Sequence, residues 1–137
     1  MEIRALGPGD DDKVMAASRL FDGSADESAT SRFLGAEGHH LLVAYEQDHP
    51  AGFVSGVEVT HPDKGTEMFL YELAVEEGFR RRGFARALVD ALASVAKERG
   101  CYGMWVVTDA DNTAALATYE GSGGSPEPGQ VVVVWTF

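Results

Sequence analysis

Hydrophobic and polar positions along the chain follow two spacings, which predict strands separated by helices. Short apolar runs bounded by Gly, Pro and Asp are typical of strands, and apolar positions three or four residues apart indicate helices. The stripe of Phe84, Leu88, Leu92 and Val95 is the strongest helical pattern. The predicted strands cover residues 1–6, 40–46, 51–60, 68–75, 103–108 and 130–137. The predicted helices cover residues 11–21, a short segment from Ser24 to near Ala36, residues 83–99 and residues 111–121.

The order of these elements, βααβββαβαβ, predicts a mixed α+β fold in which helices cover the faces of one sheet. Residues 40–46 and 51–60 are joined by a Pro- and Gly-containing turn and form a predicted antiparallel hairpin. The chain has 137 residues, no obvious internal repeat and no linker. We therefore expect a single domain over residues 1–137.

Composition excludes several classes of protein. A hydrophobic share of 45% is too high for a disordered chain, and no apolar run approaches the roughly 20 residues that span a bilayer. The first residues, "MEIRALGPGDDDK", lack the layout of a signal peptide. Cys101 is the only cysteine, so no internal disulfide can form and a cytoplasmic location is expected.

The net charge is −11, from 11 basic and 22 acidic residues. This acidity argues against a nucleic-acid partner, because phosphate binding needs a basic face. It is compatible with a cationic partner, whose approach a negative cleft accelerates, and equally with a role in solubility alone. His39, His40, His49 and His61 lack the spacing of metal ligands, so we expect no metal.

Four of the few basic residues gather at the start of the predicted helix 83–99. Arg80, Arg81, Arg82 and Arg86 surround Gly83. The N–H groups at a helix N-terminus lack internal partners and attract anions, and arginines add charge-assisted hydrogen bonds to phosphate. The stretch lacks both the P-loop pattern and the Rossmann pattern. The alternative is a solvated basic patch that pairs with the neighbouring glutamates.

Three stretches resemble the GCN5-related N-acetyltransferases (GNAT). Residues 80–85, "RRRGFA", are similar to the family's Q/R-x-x-G-x-G/A signature, and "YELAV" before them resembles its fourth strand. "NTAALATYEGSG" resembles a later family motif through Asn112, Ala115, Tyr119 and Gly123. The resemblance implies a mostly antiparallel central sheet flanked by helices. It departs from the family at two positions near the C-terminus, where Thr118 replaces a leucine and Gly124 an aromatic residue.

The resemblance implies acetyl-CoA as cofactor. The arginine stretch would bind its pyrophosphate, and the backbone after Glu72 would line its pantetheine arm. Asn112 would also contact the pantetheine arm, or would only cap a helix. The implied cofactor-binding residues are Leu73, Ala74, Val75, Arg80, Arg81, Arg82, Gly83, Phe84, Ala85, Arg86, Asn112, Ala115 and Tyr119.

A narrower similarity is to the aminoglycoside 3-N-acetyltransferases of the gentamicin-modifying type. It lies in Leu20-Phe21, in Glu67 before "MFLYELAV", in "FRRRGFARAL" and in "TDADNTAALATYEGSG". It implies acetylation of the 3-amino group of a polycationic antibiotic, and hence resistance to it. Two alternatives stay open, namely a GNAT enzyme for another amine (a polyamine, a metabolite, or a protein lysine or N-terminus) and a non-catalytic sensor that binds acyl-CoA.

Three residues are candidates for the chemistry. Glu72 lies inside an apolar strand, where burial raises a carboxyl pKa, and would accept the amine's proton or anchor the substrate. The N–H of Val75 would stabilise the thioester oxygen, and Tyr119 would protonate the leaving thiolate. The alternatives are an acid on a solvated face for Glu72 and a core tyrosine for Tyr119.

Acidic residues near the expected cleft are candidates for binding substrate ammonium groups. Each is equally explained as a surface or helix-capping acid. The apolar C-terminal residues 130–137 are either an inner strand or part of a homodimer interface, as family members are often dimers. The substrate-binding candidates are Asp22, Asp26, Glu27, Glu72, Asp109, Asp111 and Glu120.

Overall fold

The computed structural model describes residues 1–137 and contains one five-stranded sheet flanked by four helices. Two short 3₁₀ turns lie at Ser18–Leu20 and Glu77–Phe79. In chain order the elements are β1 (Glu2–Leu6), α1 (Asp11–Ala16), α2 (Glu27–Gly35), β2 (His39–Glu46), β3 (His49–His61), β4 (Gly65–Val75), α3 (Phe84–Glu98), β5 (Met104–Val106) and α4 (Thr113–Gly121).

The strands lie in the sheet in the same order as in the chain. β1 to β4 pair antiparallel with their neighbours, whereas β5 runs parallel to β4 because α3 carries the chain back across the sheet. The β4–β5 pairing covers only Met68–Leu70 and Met104–Val106. Beyond Leu70, β4 therefore has no strand on that side. None of the helices combines the length and the hydropathy that crossing a membrane requires.

Each face of the sheet carries its own hydrophobic core. α3 packs on one face, where Leu88 and Leu92 are buried against Met68 and Leu70. Its contact with the backbone is so close that a Cβ on Gly56 would lie 2.9 Å from Leu92. On the other face, α1 and α2 cover a second cluster built from Val14, Leu34, Leu41, Val43 and Phe53. Alternating strand side chains supply the two cores in turn.

The predicted class and element order are confirmed from β1 to α4, but two predicted elements differ. The helix predicted over residues 11–21 ends at Ala16, and a 3₁₀ turn follows it. The helix predicted from Ser24 begins at Glu27, because Asp26 caps it by accepting a hydrogen bond from the N–H of Ala29 at 2.9 Å.

The final strand predicted over residues 130–137 is wrong for this structure. Residues 131–137 have no ladder partner, and their side chains are exposed, with Val131 at 84% and Trp135 at 73% of full exposure. An apolar β-branched run favours the extended conformation, but a strand also needs a free edge for its N–H and C=O groups. The chain does not bring this segment to any edge of its own sheet.

Candidate functional site

A β-bulge in β4 determines which way Glu72 points. The β3–β4 register pairs Gly56 with Leu70 and Ser55 with Glu72, so Tyr71 is the extra residue. Met68 and Leu70 before the bulge, and Leu73 and Val75 after it, face α3. Tyr71 and Glu72 both line a cavity on the opposite face. Strict alternation from Leu70 would have turned Glu72 into the α3 core.

Glu72 is half-buried on the face of the sheet that α1 and α2 cover. Its burial, and secondarily the negative charge of Asp22, raises the pKa of its carboxyl group above the usual range. The prediction of a raised pKa from an apolar strand is therefore confirmed. The N–H of Glu72 donates to Oγ of the buried Ser55 at 3.2 Å, which satisfies the backbone at the bulge.

The edge of β4 that faces away from β3 carries free N–H groups after Leu70. The N–H of Glu76 donates to the carbonyl of Ala51 across the β3 side at 2.8 Å. Because donors alternate between the two edges of an antiparallel strand, the N–H groups of Leu73 and Val75 point to the other edge. β5 pairs only as far as Leu70, so no strand covers them there. The carbonyl of Val75 on the same edge accepts from Nε of Arg80 at 3.1 Å.

The N-terminus of α3 offers a second set of free donors. The first helical bond runs from the N–H of Ala87 to the carbonyl of Gly83 at 3.0 Å, so the N–H groups of Phe84, Ala85 and Arg86 have no partner within the helix. Gly83 has φ 85° and Arg81 has φ 63°, both left-handed. Left-handed residues in a turn help successive N–H groups converge on one point, as in anion-binding loops.

The four arginines at and just before the N-terminus of α3 have different partners. Arg82 contacts Glu46 at 3.2 Å and lies 5.2 Å above the ring of Phe79. Arg86 pairs with Asp90 at 3.2 Å on the surface of α3. Together with the bond of Arg80 to the β4 backbone, these contacts leave Arg81 as the one arginine of the four without a hydrogen bond or ion pair. The neighbouring glutamates pair with none of the four, and Glu76 binds Arg19 and His49 instead.

Tyr119 lies on the α3 side of the sheet, against β5. It lines a small cavity of about 80 Å³ with Trp105 and Ser122, among others. Burial raises the pKa of the Tyr119 hydroxyl, so the phenol stays protonated at neutral pH. Oγ of Ser122 in the same cavity is buried without a hydrogen-bond partner.

The C-terminal motif has a structural role at both ends of α4. Oδ1 of Asn112 accepts from the N–H of Ala115 at 3.1 Å, which makes Asn112 the N-cap. At the other end, Gly123 has φ 98° and Gly124 donates to the carbonyl of Tyr119 at 2.9 Å, the bond pattern of a Schellman motif. The helix-capping alternative for Asn112 is thus confirmed, while its contact with a cofactor stays a prediction.

The predicted substrate-binding acids do not form one cluster. Asp22 lies close enough to Glu72 to raise its pKa, and Asp26 is used as the cap of α2. The remaining acids are exposed and line neither of the two cavities described here; they are Glu27, Asp109, Asp111 and Glu120.

Three of the four histidines each pair with one glutamate, and no group of side chains has the arrangement of a metal site. Nε2 of His40 lies 2.7 Å from Glu58, and that of His61 lies 2.9 Å from Glu67. His49 makes the contact with Glu76 described above.

Sequence analysis missed the larger cavity, whose volume is about 520 Å³ and which lies between α2 and the sheet. It also missed Ser55 and Ser122. Ser55 had a signal in the sequence, because it is a polar residue at the centre of the apolar stretch "AGFVSGVEVT". The cavity had none, since its walls come from five separate elements and from loop residues.

Curated relatives share part of this chain. The ribosomal protein bS18-alanine N-acetyltransferase of Salmonella typhimurium is 39% identical over 57 residues, which are 42% of this chain and 38% of that protein. The L-2,4-diaminobutyric acid acetyltransferase of Streptomyces coelicolor is 39% identical over 67 residues, which are 48% of this chain and 38% of that protein. The matched stretch thus spans well under half the length of these relatives.

Solved structures share the fold across nearly the whole chain. An aminoglycoside acetyltransferase from an uncultured soil metagenomic sample, in complex with sisomicin, has a TM-score of 0.90 at 20% identity and covers 99% of this chain and 95% of its own. The aminoglycoside N-acetyltransferase AAC(6')-Iy, in complex with CoA, has a TM-score of 0.78 at 22% identity and covers 98% of this chain and 93% of its own. Residues 13–123 match the acetyltransferase (GNAT) family. The chain therefore belongs to the GNAT acetyltransferase family, whose members use acetyl-CoA.

Proposed function

We propose that this protein is an acetyl-CoA-dependent N-acetyltransferase that acts on a primary amine of a small molecule. The observation that carries the proposal is the position of Glu72. Its carboxyl group has a raised pKa and faces a ligand-sized cavity. On the same strand, the next residues present free N–H groups at an edge that no strand covers. A proton acceptor and oxyanion donors are thus contributed by one short segment.

The residues fit the phosphates of acetyl-CoA. A pyrophosphate needs converging N–H donors and cations, and the N-terminus of α3 offers unpaired donors beside Arg81, which has no acidic partner. Arg82 and Arg86 are exposed enough to exchange a surface carboxylate for a phosphate. Gly83 supports the turn by its left-handed backbone. The bound group supplies the activated acetyl thioester.

Glu72 is proposed as the general base. An amine attacks a carbonyl carbon only when it is neutral, so its ammonium form must first lose a proton. Glu72 accepts that proton, directly or through one water. Its raised pKa brings its basicity closer to neutral pH, where a base is most effective. A carboxylate in this position also attracts the incoming ammonium, so anchoring and proton transfer follow from the same group.

The N–H of Val75 is proposed as the donor that stabilises negative charge on the acetyl oxygen during attack. Removing one such preorganised donor typically costs about 3 kcal/mol of barrier. The carbonyl of Val75, which belongs to the following peptide group, accepts from Nε of Arg80 at 3.1 Å, which restrains the backbone just after this N–H. As the new N–C bond forms, the nitrogen releases its second proton to water. As the C–S bond breaks, Tyr119 gives its proton to the sulfur and then regains one from water. Burial keeps that proton on the phenol beforehand.

Aminoglycosides are the named candidate acceptors, with the 3-amino group as the predicted site. Several of the fold neighbours are aminoglycoside acetyltransferases, and the net charge of −11 favours polycations. The opposing observation is that the predicted acids are scattered, with only Glu72 among the residues that line the larger cavity. A protein N-terminus is the second candidate, because a curated relative acetylates a ribosomal protein.

The test of the proposed function is thiol release from acetyl-CoA against a panel of amines. The panel contains sisomicin, an aminoglycoside lacking a free 3-amino group, spermidine, simple alkylamines, and a peptide with a free N-terminal alanine. Turnover of any amine supports an enzyme, and the pattern identifies the acceptor class. Tight acetyl-CoA binding without turnover of any amine would favour a non-catalytic sensor instead.

We propose that the chain forms a homodimer in which the exposed residues 131–137 are part of the interface. Residues 131–137 favour an extended strand but pair with no sheet edge. β5 is an edge strand that pairs with β4 on one side only. In an isologous dimer, residues 131–137 of each copy pair with β5 of the other copy, so both contacts form at once. Burying the six exposed apolar side chains there removes an aggregation-prone edge from water.

A further inference from the structure

The cavity of about 520 Å³ beside Glu72 has walls unlike those of a site for sugars. It lies between α2 and the sheet, and its volume falls in the range of about 300–1,000 Å³ that holds drug-sized ligands. Eleven of its 15 lining residues are hydrophobic, a share that is typical of sites for apolar ligands.

Aromatic rings form much of this lining. The rings of Phe21 and Phe53 lie 4.6 Å apart between centroids, and the ring of Phe33 on α2 contacts His39 edge-on at 5.3 Å. Phe69 on β4 closes another side and stacks on Trp105 at 4.2 Å. Such faces contact aliphatic chains and other rings favourably.

The polar side chains of the lining are few, namely Thr30, His39, Ser55, Tyr71 and Glu72. Oγ of Ser55 accepts from the backbone of Glu72, and Thr30 is buried on α2. Glu72 is the only carboxylate among the lining residues, with Asp22 near it outside the lining. No lysine or arginine lines the cavity.

This inventory restricts what can bind beside the base. One carboxylate compensates one ammonium. Each further ammonium carried into the apolar part would lose its hydration without a partner, which is strongly unfavourable. An apolar body, in contrast, gains from every carbon that it removes from water.

We propose that the acceptor is a primary monoamine with an aliphatic or aromatic body, whose ammonium group meets Glu72 and whose body fills the cavity under α2. The inference rests on the proposed N-acetyltransferase function and narrows its acceptor to this class. A polycationic aminoglycoside is then a poorer substrate than a hydrophobic amine with a single charge.

The experiment compares ethylamine, butylamine, hexylamine, 2-phenylethylamine and sisomicin by thiol release from acetyl-CoA. The expected kcat/KM rises about fourfold per added methylene until the cavity is full, which corresponds to ~0.8 kcal/mol for each buried methylene. 2-Phenylethylamine is expected to exceed both ethylamine and sisomicin.

A pair of variants on α2 tests whether the cavity causes this selectivity. Ala29 is exposed at the rim and lines the cavity, so Ala29→Trp fills it from the side. Ser28 is its exposed neighbour outside the lining, so Ser28→Trp is the matched control. Ala29→Trp is expected to reduce kcat/KM at least tenfold for hexylamine and 2-phenylethylamine and little for ethylamine. Ser28→Trp is expected to behave as the unmodified protein.

Two outcomes separate this inference from the function on which it rests. Turnover of sisomicin above the hydrophobic amines, or no dependence on chain length, overturns the inference and leaves the acetyltransferase standing. The second readout is the Tm shift caused by 2-phenylethylamine without acetyl-CoA. A shift that Ala29→Trp abolishes, with no turnover of any amine, supports the ligand class and contradicts the enzyme. No shift and no turnover of hydrophobic amines contradicts the inference directly.

Discussion

The backbone N–H of Glu72, whose side chain faces the cavity, donates to Oγ of Ser55 at 3.2 Å, at the point where the β3–β4 register shifts. The hydroxyl of Ser55 thus provides an acceptor for the N–H of Glu72 at the bulge. This bond supports the one irregularity that turns a carboxyl group away from the α3 core. Ser55 is thus a positioning residue for Glu72 in the proposed reaction.

Ser55→Ala is expected to weaken both the fold and the bulge. The substitution leaves the N–H of Glu72 without its partner in a buried region, which costs about 1–3 kcal/mol of unfolding free energy. We expect a lower midpoint in urea, together with a fall in kcat larger than any change in the KM for acetyl-CoA. Ser94→Ala removes a surface hydroxyl on α3 and serves as control. Equal kcat values for Ser55→Ala and the unmodified protein would remove the positioning role.

The bulge also marks the limit of what the sequence could predict. Short apolar runs bounded by turn residues predicted every strand from β1 to β5, because strands covered on both faces are apolar along most of their length. Regular strand alternation would place Glu72 on the side of Leu70, and only the extra residue Tyr71 reverses it. No local pattern identifies a bulge whose supporting hydroxyl, Ser55, comes from another strand.

Other residues were predicted correctly for reasons of local chemistry. Asn112 and Asp26 precede helices with the side chains that favour N-caps, so their structural alternative was visible in the sequence. The strand predicted over residues 130–137 is wrong because strand propensity is a local property, whereas the presence of a sheet edge to pair with depends on the whole fold.

Glu72→Gln is expected to reduce kcat by about 100-fold or more, the size of a lost general base. In the unmodified protein, kcat/KM should rise with pH as Glu72 loses its proton, and the raised pKa moves this limb above that of an ordinary glutamate. The variant should lack the limb and still bind acetyl-CoA. Glu98→Gln, at the exposed end of α3, is the control. An unchanged kcat at neutral pH would contradict the role of base.

Glu72→Gln should also be more stable to unfolding than the unmodified protein at neutral pH. The raised pKa means that the folded state holds the Glu72 proton more tightly than the unfolded chain does. The contribution of Glu72 to stability is therefore complete below its unfolded pKa and declines as pH rises through its folded pKa. Urea midpoints at neutral and acidic pH measure this. A midpoint for Glu72→Gln that falls below that of the unmodified protein at neutral pH would contradict the sign.

Asp22→Asn is expected to shift the acid limb of the pH profile to lower pH without abolishing activity. The charge of Asp22 is the second cause, after burial, of the raised pKa of Glu72. Removing it lets Glu72 ionise more easily, while burial still holds the pKa above the usual range. Asp12→Asn removes an exposed charge on α1 and should leave the limb in place. A limb that stays fixed in both variants would mean that another group controls the profile.

Arg81→Ala is expected to weaken acetyl-CoA binding about tenfold or more while leaving the unfolding midpoint unchanged. Arg81 has no acidic partner in the fold, so its removal breaks no ion pair or hydrogen bond, whereas a charge-assisted hydrogen bond contributes about 1.5–3 kcal/mol. Arg82→Ala should differ, because it also loses the contact with Glu46 and the packing on Phe79. Calorimetric titration measures the affinity of both variants for acetyl-CoA, with Lys97→Ala as control. Unchanged affinity in Arg81→Ala would remove it from the phosphate site.

Trp135→Ser is expected to change the oligomeric state. If residues 131–137 pair with the sheet of a second copy, the unmodified chain elutes as a dimer, and a polar side chain in place of the 73%-exposed Trp135 shifts it towards the monomer. Light scattering coupled to size exclusion measures the mass directly. Val107→Ser, at the exposed position just after β5, should act in the same direction because it changes the edge that receives the segment. Tyr71→Ser removes an exposed aromatic ring on β4 and should leave the mass unchanged. A monomeric unmodified protein over a wide range of concentration would rule out the pairing and leave the segment as exposed apolar surface.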